Sequence, residues 1–200
     1  MMDKSVPQAI WDAMGLPFRL ALFPQDWLPN LGWTTLEDER IAAVLPLVCG
    51  KLLDVGAGRN TLVRRYGHGV GVDIHDWGGG ATLVDNAAQL PFADQSFETV
   101  TFVACLNHIP NRGEALIEAR RLLRPDGRVV VTMIDPVLGA IGHAIWWYGE
   151  DRQRGGMKPG EVGGLWTSDI QALGQRAGFE LVHHRRFVYG MNHVYVFKPR

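Results

Sequence analysis

The sequence predicts a doubly wound α/β domain: a seven-stranded sheet, mostly parallel, with helices on both faces and an antiparallel hairpin at its C-terminal end. Three observations predict it. Short β-branched apolar runs alternate with helical apolar patterns between residues 51 and 134. The first run ends in a glycine-rich turn, "LLDVGAGRN" at 52–60, the kind of turn that carries a parallel strand into a helix beside a ligand. The last two runs, "FELVHHRRFV" and "HVYVFK", stand either side of "YGMN", a hairpin signal.

Each element has its own local reason. Residues 1–35 hold Trp11, Phe18, Phe23, Trp27 and Trp33 among prolines, which suits short helices and loops. "TTLEDER" offers Thr34 or Thr35 as an N-cap with acids in the first turn, so a helix is expected through "RIAAVLPLV" toward Gly50. "KLLDVG" reads as a buried strand, and Asn60 or Thr61 can cap the following "TLVRRYG" helix. "HGVGVDIH" is a second strand, and "ATLVDNAAQLPFADQSF" holds a short third one and a loop. "FETVTFVACL" is strand-like throughout. "RGEALIEARRLLRPDG" spaces its apolar positions at 115, 116, 119, 122 and 123, a helical pattern expected to end at Pro125 and Gly127. "RVVVTMI" is the next strand, and "SDIQALGQRAGF" a helix with Gly178 as its C-cap.

Composition narrows the function. The 200 residues carry 46% hydrophobic and 20% charged side chains and a net charge of −1. A near-neutral chain without a Lys/Arg block points to a small-molecule partner and away from nucleic acid. Cys49 and Cys105 sit in apolar stretches, as buried thiols do, with no metal-ligand spacing. No apolar run approaches the ~20 residues needed to span a bilayer, and the N-terminus lacks an apolar signal region. A reducing cytoplasm is the expected location.

The glycine turn discriminates between nucleotides. A dinucleotide fingerprint, G-x-G-x-x-G, counted from Gly56 needs a glycine at 61, where Thr61 stands. Asp54 would also repel a pyrophosphate. The same carboxylate suits a ligand carrying an ammonium group and no phosphate. Asp54, Gly56 and Gly58 in "DVGAG", Asp73 in "GVDIH", the run "VDNAAQLPFADQSFETV" and the block "CLNHIPNRGEALIEARRLLRPDGRVVV" follow one another in order. In that order they resemble the class I S-adenosylmethionine-dependent methyltransferases, specifically the small-molecule "type 11" group. Asn60, Glu98 and Asp126 depart from the residues that family usually has.

The resemblance implies a Rossmann-like fold, S-adenosylmethionine as methyl donor and S-adenosylhomocysteine as product. It implies a single domain over 1–200: a helical cap at 1–48, a cofactor-binding core at 49–133, a substrate-covering insertion at 134–168, and a helix and hairpin at 169–200. Asp54, Gly56, Ala57 and Gly58 are expected around the methionine and ribose moieties. Asp73 is expected to accept from the ribose hydroxyls and Ile74 to lie against the adenine. Asp85 is expected to accept from the adenine amine, with Asn86 and Ala87 along the same edge. Val103, ending the fourth strand, completes the set.

Methyl transfer needs the reactants held in line, water excluded and, for a hydroxyl acceptor, a proton removed. His108, after the fourth strand, is the candidate base; the alternative is a histidine that only packs beside the next helix. Asn107 reads as a loop residue or an acceptor-orienting one. His143, Trp146, Trp147 and Tyr148 could wall an aromatic acceptor or be core, and Trp146 and Trp147 could make a peripheral membrane contact. Trp27 and Trp33 either close over the site or cover the sheet edge. The glycines of "RGGMKPGEVGG" suit a mobile lid or a long surface loop, "HHRR" at 183–186 a solvated edge rather than a metal site, and Arg59, Arg64 and Arg65 surface charge. An oxygen nucleophile is favoured. The rival readings are a non-catalytic cofactor-binding scaffold and an NAD(P)-dependent oxidoreductase.

Overall fold

A computed structural model describes residues 5–145 and 156–200 of the chain, without the side chains of residues 20, 21 and 142–145. Its sheet has seven strands: β1 (Leu52–Val55), β2 (Gly69–Asp73), β3 (Thr82–Leu83), β4 (Phe97–Val103), β5 (Leu123–Ile134), β6 (Phe179–Phe187) and β7 (Asn192–Pro199). Their order is β3-β2-β1-β4-β5-β7-β6. All neighbouring pairs are parallel up to β5, and β7 runs antiparallel to both β5 and β6. The strand order reverses between β1 and β4, so a crevice opens where their C-terminal ends part.

Among the described residues the α-helices are α1 (Val6–Met14), α2 (Leu36–Val44), α3 (Thr61–Tyr66), α4 (Arg112–Leu122), α5 (Pro136–Ile145) and α6 (Thr167–Arg176). Side chains alternate across the sheet, and both faces are covered. On one face Leu53, Val100, Phe102, Val129, Val131 and Phe197 form a cluster that includes Leu116 and Leu122 of α4 and Ile170 of α6. On the other, Leu52, Val130, Val194 and Val196 cluster with Ile41 and Val44 of α2 and Leu62 of α3. Burial on both sides explains why these strands read as continuous apolar runs.

Two boundaries differ from expectation. Helix α2 stops at Val44 and a single 3-10 turn, Leu45–Leu47, follows. Pro46 lacks an N–H, so it cannot donate to the α2 ladder. Helix α4 stops at Leu122, before Pro125 and Gly127, because Leu123 is already extended, fully buried and paired with Phe97. The ladder then skips to Thr99 opposite Arg128, and the "RPDG" turn bulges out between them. Sheet pairing of a buried leucine wins over one more helical turn.

Thr35 caps α2 as its sequence suggests. Its hydroxyl accepts from the Asp38 N–H at 3.0 Å and donates to the Asp38 carboxylate at 2.7 Å. Thr35→Ala is therefore expected to destabilise the fold by about 1 kcal/mol, read as a lowered denaturation midpoint with an unchanged m-value.

The aromatic N-terminal segment folds around a buried ion cluster. Arg19 and Asp12 are both fully buried. Arg19 donates to the Thr34 and Asp12 carbonyls at 2.9–3.0 Å and to the Glu39 carboxylate at 2.9 Å. Asp12 accepts from the Thr34 N–H and hydroxyl at 3.0 and 2.7 Å. Each charge is thus hydrogen-bonded, as burial requires. The cluster fastens the segment to α2 and holds its far side, Pro24–Trp27, over the crevice.

Candidate functional site

A cavity of about 920 Å³ fills that crevice. Its floor is the turn after β1. The chain reverses there through Gly56 at φ 70° and Gly58 at φ 53°, left-handed conformations that favour glycine. The Gly56 and Ala57 N–H groups both donate to the Val72 carbonyl, at 2.9 and 3.0 Å, which locks the turn onto β2. Gly56 also has no room for a side chain, since a Cβ there would lie 2.6 Å from Cys105 Cβ. At Gly58 nothing lies within 4 Å of that position, so the backbone is open to a ligand. Asn60 also adopts the left-handed conformation, at φ 59°, which asparagine tolerates.

Two carboxylates flank the turn. Asp73, 8% exposed at the end of β2, accepts from the Gly58 N–H at 2.8 Å and the His75 N–H at 3.0 Å. Asp54, 2% exposed in β1, accepts from the Thr101 hydroxyl at 2.6 Å. Burial pushes Asp54 up to about 7, the Thr101 bond opposing that shift and Asp73 adding to it. Cys105, whose thiol donates to the Val55 carbonyl at 2.9 Å, is raised well above the usual thiol range by burial and then by Asp54 and Asp73. The shift favours the neutral thiol.

Asp54, Gly56, Ala57, Gly58, Asp73, Ile74, Ala87, Val103 and His108 all line the cavity, as do Trp27 and Arg59. Asp85 and Asn86 do not: both are exposed, and Val84 takes the lining position there. The Asn86 side chain instead accepts from the Ala88 N–H at 2.9 Å and from the Asn111 amide at 3.1 Å, closing a local turn. Trp33 is turned away from the cavity, stacked between Trp11 and Phe18 at 5.9 and 6.0 Å. Trp146, Trp147, Tyr148 and the His143 side chain lie outside the described residues.

His108 stands in a hydrogen-bonded cluster that sequence reasoning did not find. Asn107, 4% exposed, donates its side-chain amide to the Val162 carbonyl at 3.1 Å, while its backbone carbonyl accepts from the Val162 N–H at 3.0 Å. The Val162 carbonyl fixes which amide atom is nitrogen. That nitrogen also lies 3.0 Å from His108 Nε2, so Nε2 is the acceptor there. His108 Nδ1 then carries the proton and donates to the Glu161 carboxylate at 3.4 Å. The described part of the glycine loop is docked tightly: a Cβ on Gly139 would meet the Gly163 carbonyl at 1.8 Å. Gly164 serves close backbone packing too, since a Cβ there would lie 2.5 Å from the Ile134 carbonyl, whereas Gly156 faces open space.

Other lining residues were also missed. Glu37 and Arg40 reach the cavity from α2, and His75 and Trp77 from the loop after β2. Nothing local distinguishes Glu37 and Arg40 from ordinary helix surface. Thr101 left a trace, since a threonine inside a strand buried on both faces needs a partner, but the partner is 47 residues away. The "HHRR" run lies on the edge strand β6, where His184 stacks on Tyr195 at 4.6 Å.

Residues 53–131, which carry this turn and both carboxylates, match the family described as "Methyltransferase domain". The chain is 30% identical over 118 residues to the ubiquinone/menaquinone biosynthesis C-methyltransferase UbiE of Bordetella avium, a match over 49% of this chain and 46% of that protein. It is 31% identical over 119 residues to the 27-O-demethylrifamycin SV methyltransferase of Amycolatopsis mediterranei, over 49% of this chain and 44% of that one. The match thus spans about half the length of these curated relatives. Over the rest of the chain the likeness is one of fold. A Thermotoga maritima methyltransferase, possibly a histamine N-methyltransferase, superposes with a TM-score of 0.62 at 17% identity, covering 96% of this chain and 99% of its own. The Burkholderia thailandensis 1,6-didemethyltoxoflavin-N1-methyltransferase, solved with S-adenosylhomocysteine, gives 0.59 at 16% identity, covering 100% of this chain and 93% of its own. Among the described residues no helix is long and apolar enough to cross a membrane.

Proposed function

We propose that this protein is an S-adenosylmethionine-dependent methyltransferase that methylates a hydroxyl oxygen of a small, largely apolar acceptor in the cytoplasm. The observation that carries the reading is the pair of buried carboxylates, Asp54 and Asp73, on either side of an open glycine turn. The chemistry of the pair fits the donor. Asp73 spends one lone pair per oxygen on backbone N–H groups, so each oxygen can still accept from a ribose hydroxyl. Asp54 spends one oxygen on Thr101 and can offer the other to an ammonium. A pyrophosphate would meet Asp54 as a like charge, which disfavours the NAD(P) reading.

The bound donor supplies an electrophilic methyl group on a sulfonium. The chain supplies position, worth roughly 7–11 kcal/mol when reactants are well aligned. Pro24, Trp27, Pro29 and Leu36 from the cap, Ile109 from the loop after β4 and Ile134 at the end of β5 form apolar walls that exclude water. His108 takes the acceptor's proton on Nε2 as the Asn107 amide yields that lone pair, and the Glu161 carboxylate stabilises the imidazolium. Removal of a proton is what a hydroxyl acceptor demands, which is the support for oxygen. The named relatives act at carbon, oxygen and nitrogen, so the acceptor atom is set by this cavity and not by the family.

Calorimetric titration with S-adenosylhomocysteine and with NADH tests the donor. Micromolar binding of the first and none of the second is expected; the reverse would overturn the reading. Methyl transfer to hydroxylated aromatic acceptors, followed by mass spectrometry, separates enzyme from scaffold. In that assay His108→Asn is expected to lower kcat about 100-fold with donor affinity unchanged. An unaltered kcat would remove His108 from the proton-transfer role.

A further inference from the structure

On β4 Thr101 sits directly across from Asp54 of β1 in the parallel ladder, so both side chains leave the sheet on the same face. Gly71, the register partner of Asp54 on β2, offers no side chain to it. Thr101 is fully buried. Its hydroxyl donates to Asp54 Oδ1 at 2.6 Å and, among the described residues, otherwise meets only the Leu53 carbonyl, at 3.4 Å. A hydroxyl has one proton, and the shorter contact takes it. Packing alone does not ask for threonine here, since valine has the same shape and β-branching and occupies positions 100 and 103 of the same strand.

We propose that Thr101 is a positioning residue for the methyl donor: its buried hydroxyl keeps the Asp54 carboxylate ionised and aims its second oxygen into the cavity, and so sets donor affinity. The inference rests on the donor reading above, in which Asp54 meets the ammonium. Within that reading it makes donor binding depend on pH through one strand-centre hydroxyl.

The electrostatic surroundings of Asp54 support this. Burial favours the neutral acid, and Asp73 of β2 adds repulsion. The Cys105 thiol beside it is neutral. Glu37 and Arg40 of α2, with Arg59, His75 and His108, line the same cavity. Thr101 is the hydrogen bond that opposes protonation. Hydrogen bonds to a charged partner are worth enough to move an equilibrium roughly 10- to 100-fold. Without that bond, Asp54 holds its proton to higher pH, and the donor must displace it.

The test uses Thr101→Val and Thr101→Ser in the full chain, titrated with S-adenosylhomocysteine at pH 6.5, 7.5 and 8.5. At pH 6.5 the valine variant is expected to bind about 10- to 100-fold more weakly than wild type. The deficit should shrink toward a few-fold at pH 8.5, where Asp54 ionises without help. The serine variant, which keeps the hydroxyl, should bind like wild type. A deficit equal at all three pH values, or none, would overturn the proposal. A second readout needs no donor: carboxyl-carbon NMR of Asp54 in the unliganded protein should show its titration near 7 in wild type and moved upward in Thr101→Val. Coincident titration curves would overturn it equally. A wild type that fails to bind the product sinks the donor reading instead, and the NMR titration still decides whether Thr101 governs Asp54.

Discussion

Replacing Asp73 by alanine is expected to weaken S-adenosylhomocysteine binding by at least ~100-fold, measured by calorimetry at pH 7.5. Two losses combine. The carboxylate is the acceptor for the Gly58 and His75 N–H groups, so it ties the glycine turn to the loop after β2. On the proposed reading it is also the acceptor for the ribose. Charge-assisted hydrogen bonds of this kind are worth roughly 1.5–3 kcal/mol each, and losing the turn's anchor adds disorder where the ligand must sit. Asp73→Asn is expected to be nearly as damaging. Its NH2 group would face either Gly58 N–H or His75 N–H, donor against donor. Wild-type affinity in either variant would remove Asp73 from the site.

The second large effect is a stability gain coupled to a binding loss. Asp54 has its proton affinity raised from an ordinary 3.8 to about 7, chiefly by burial. An acid with a raised folded pKa favours folding in its protonated form. That advantage is present at low pH and is lost as pH rises from about 4 through 7. Above 7 the unliganded protein carries a buried charge that costs roughly 4 kcal/mol at most. Asp54→Asn removes the charge and keeps an oxygen to accept from the Thr101 hydroxyl. The variant is therefore expected to melt higher than wild type at pH 8, by several degrees, and the difference should fade as pH approaches 4. Its affinity for S-adenosylhomocysteine is expected to fall at least ~100-fold, because an amide cannot pair with an ammonium as a carboxylate does. Equal melting curves at pH 8 would show that the charge is not costly. Retained affinity would place the ammonium elsewhere. Sites that bind charged ligands commonly carry this tension between stability and function.

How much of the site was legible depends on the range of the interaction that makes it. The glycine turn and Asp73 were readable because their reasons are local. Gly56 and Gly58 take left-handed backbone, and an acid ends an apolar strand. Asp85 and Asn86 were placed along the ligand by resemblance, yet local geometry points them outward, with Asn86 occupied in its own turn. The His108–Glu161 contact joins residues 53 apart, and no spacing rule reaches that far.

The alternation of strands and helices, the antiparallel end and a helix cap at Thr34 or Thr35 were determined by sequence alone. Each follows from side-chain period, β-branching or a cap within four residues. Tertiary structure decided what those rules cannot see. Leu123 left the α4 pattern for the sheet because pairing with Phe97 buries it completely. Arg19 lies fully buried in an aromatic segment because Thr34 and Glu39 come round to meet it. Asp54 and Thr101 became partners only when β1 and β4 fell into register. In each case the deciding energy is desolvation or hydrogen bonding between groups distant in the chain, and it exists only once the sheet has brought them together.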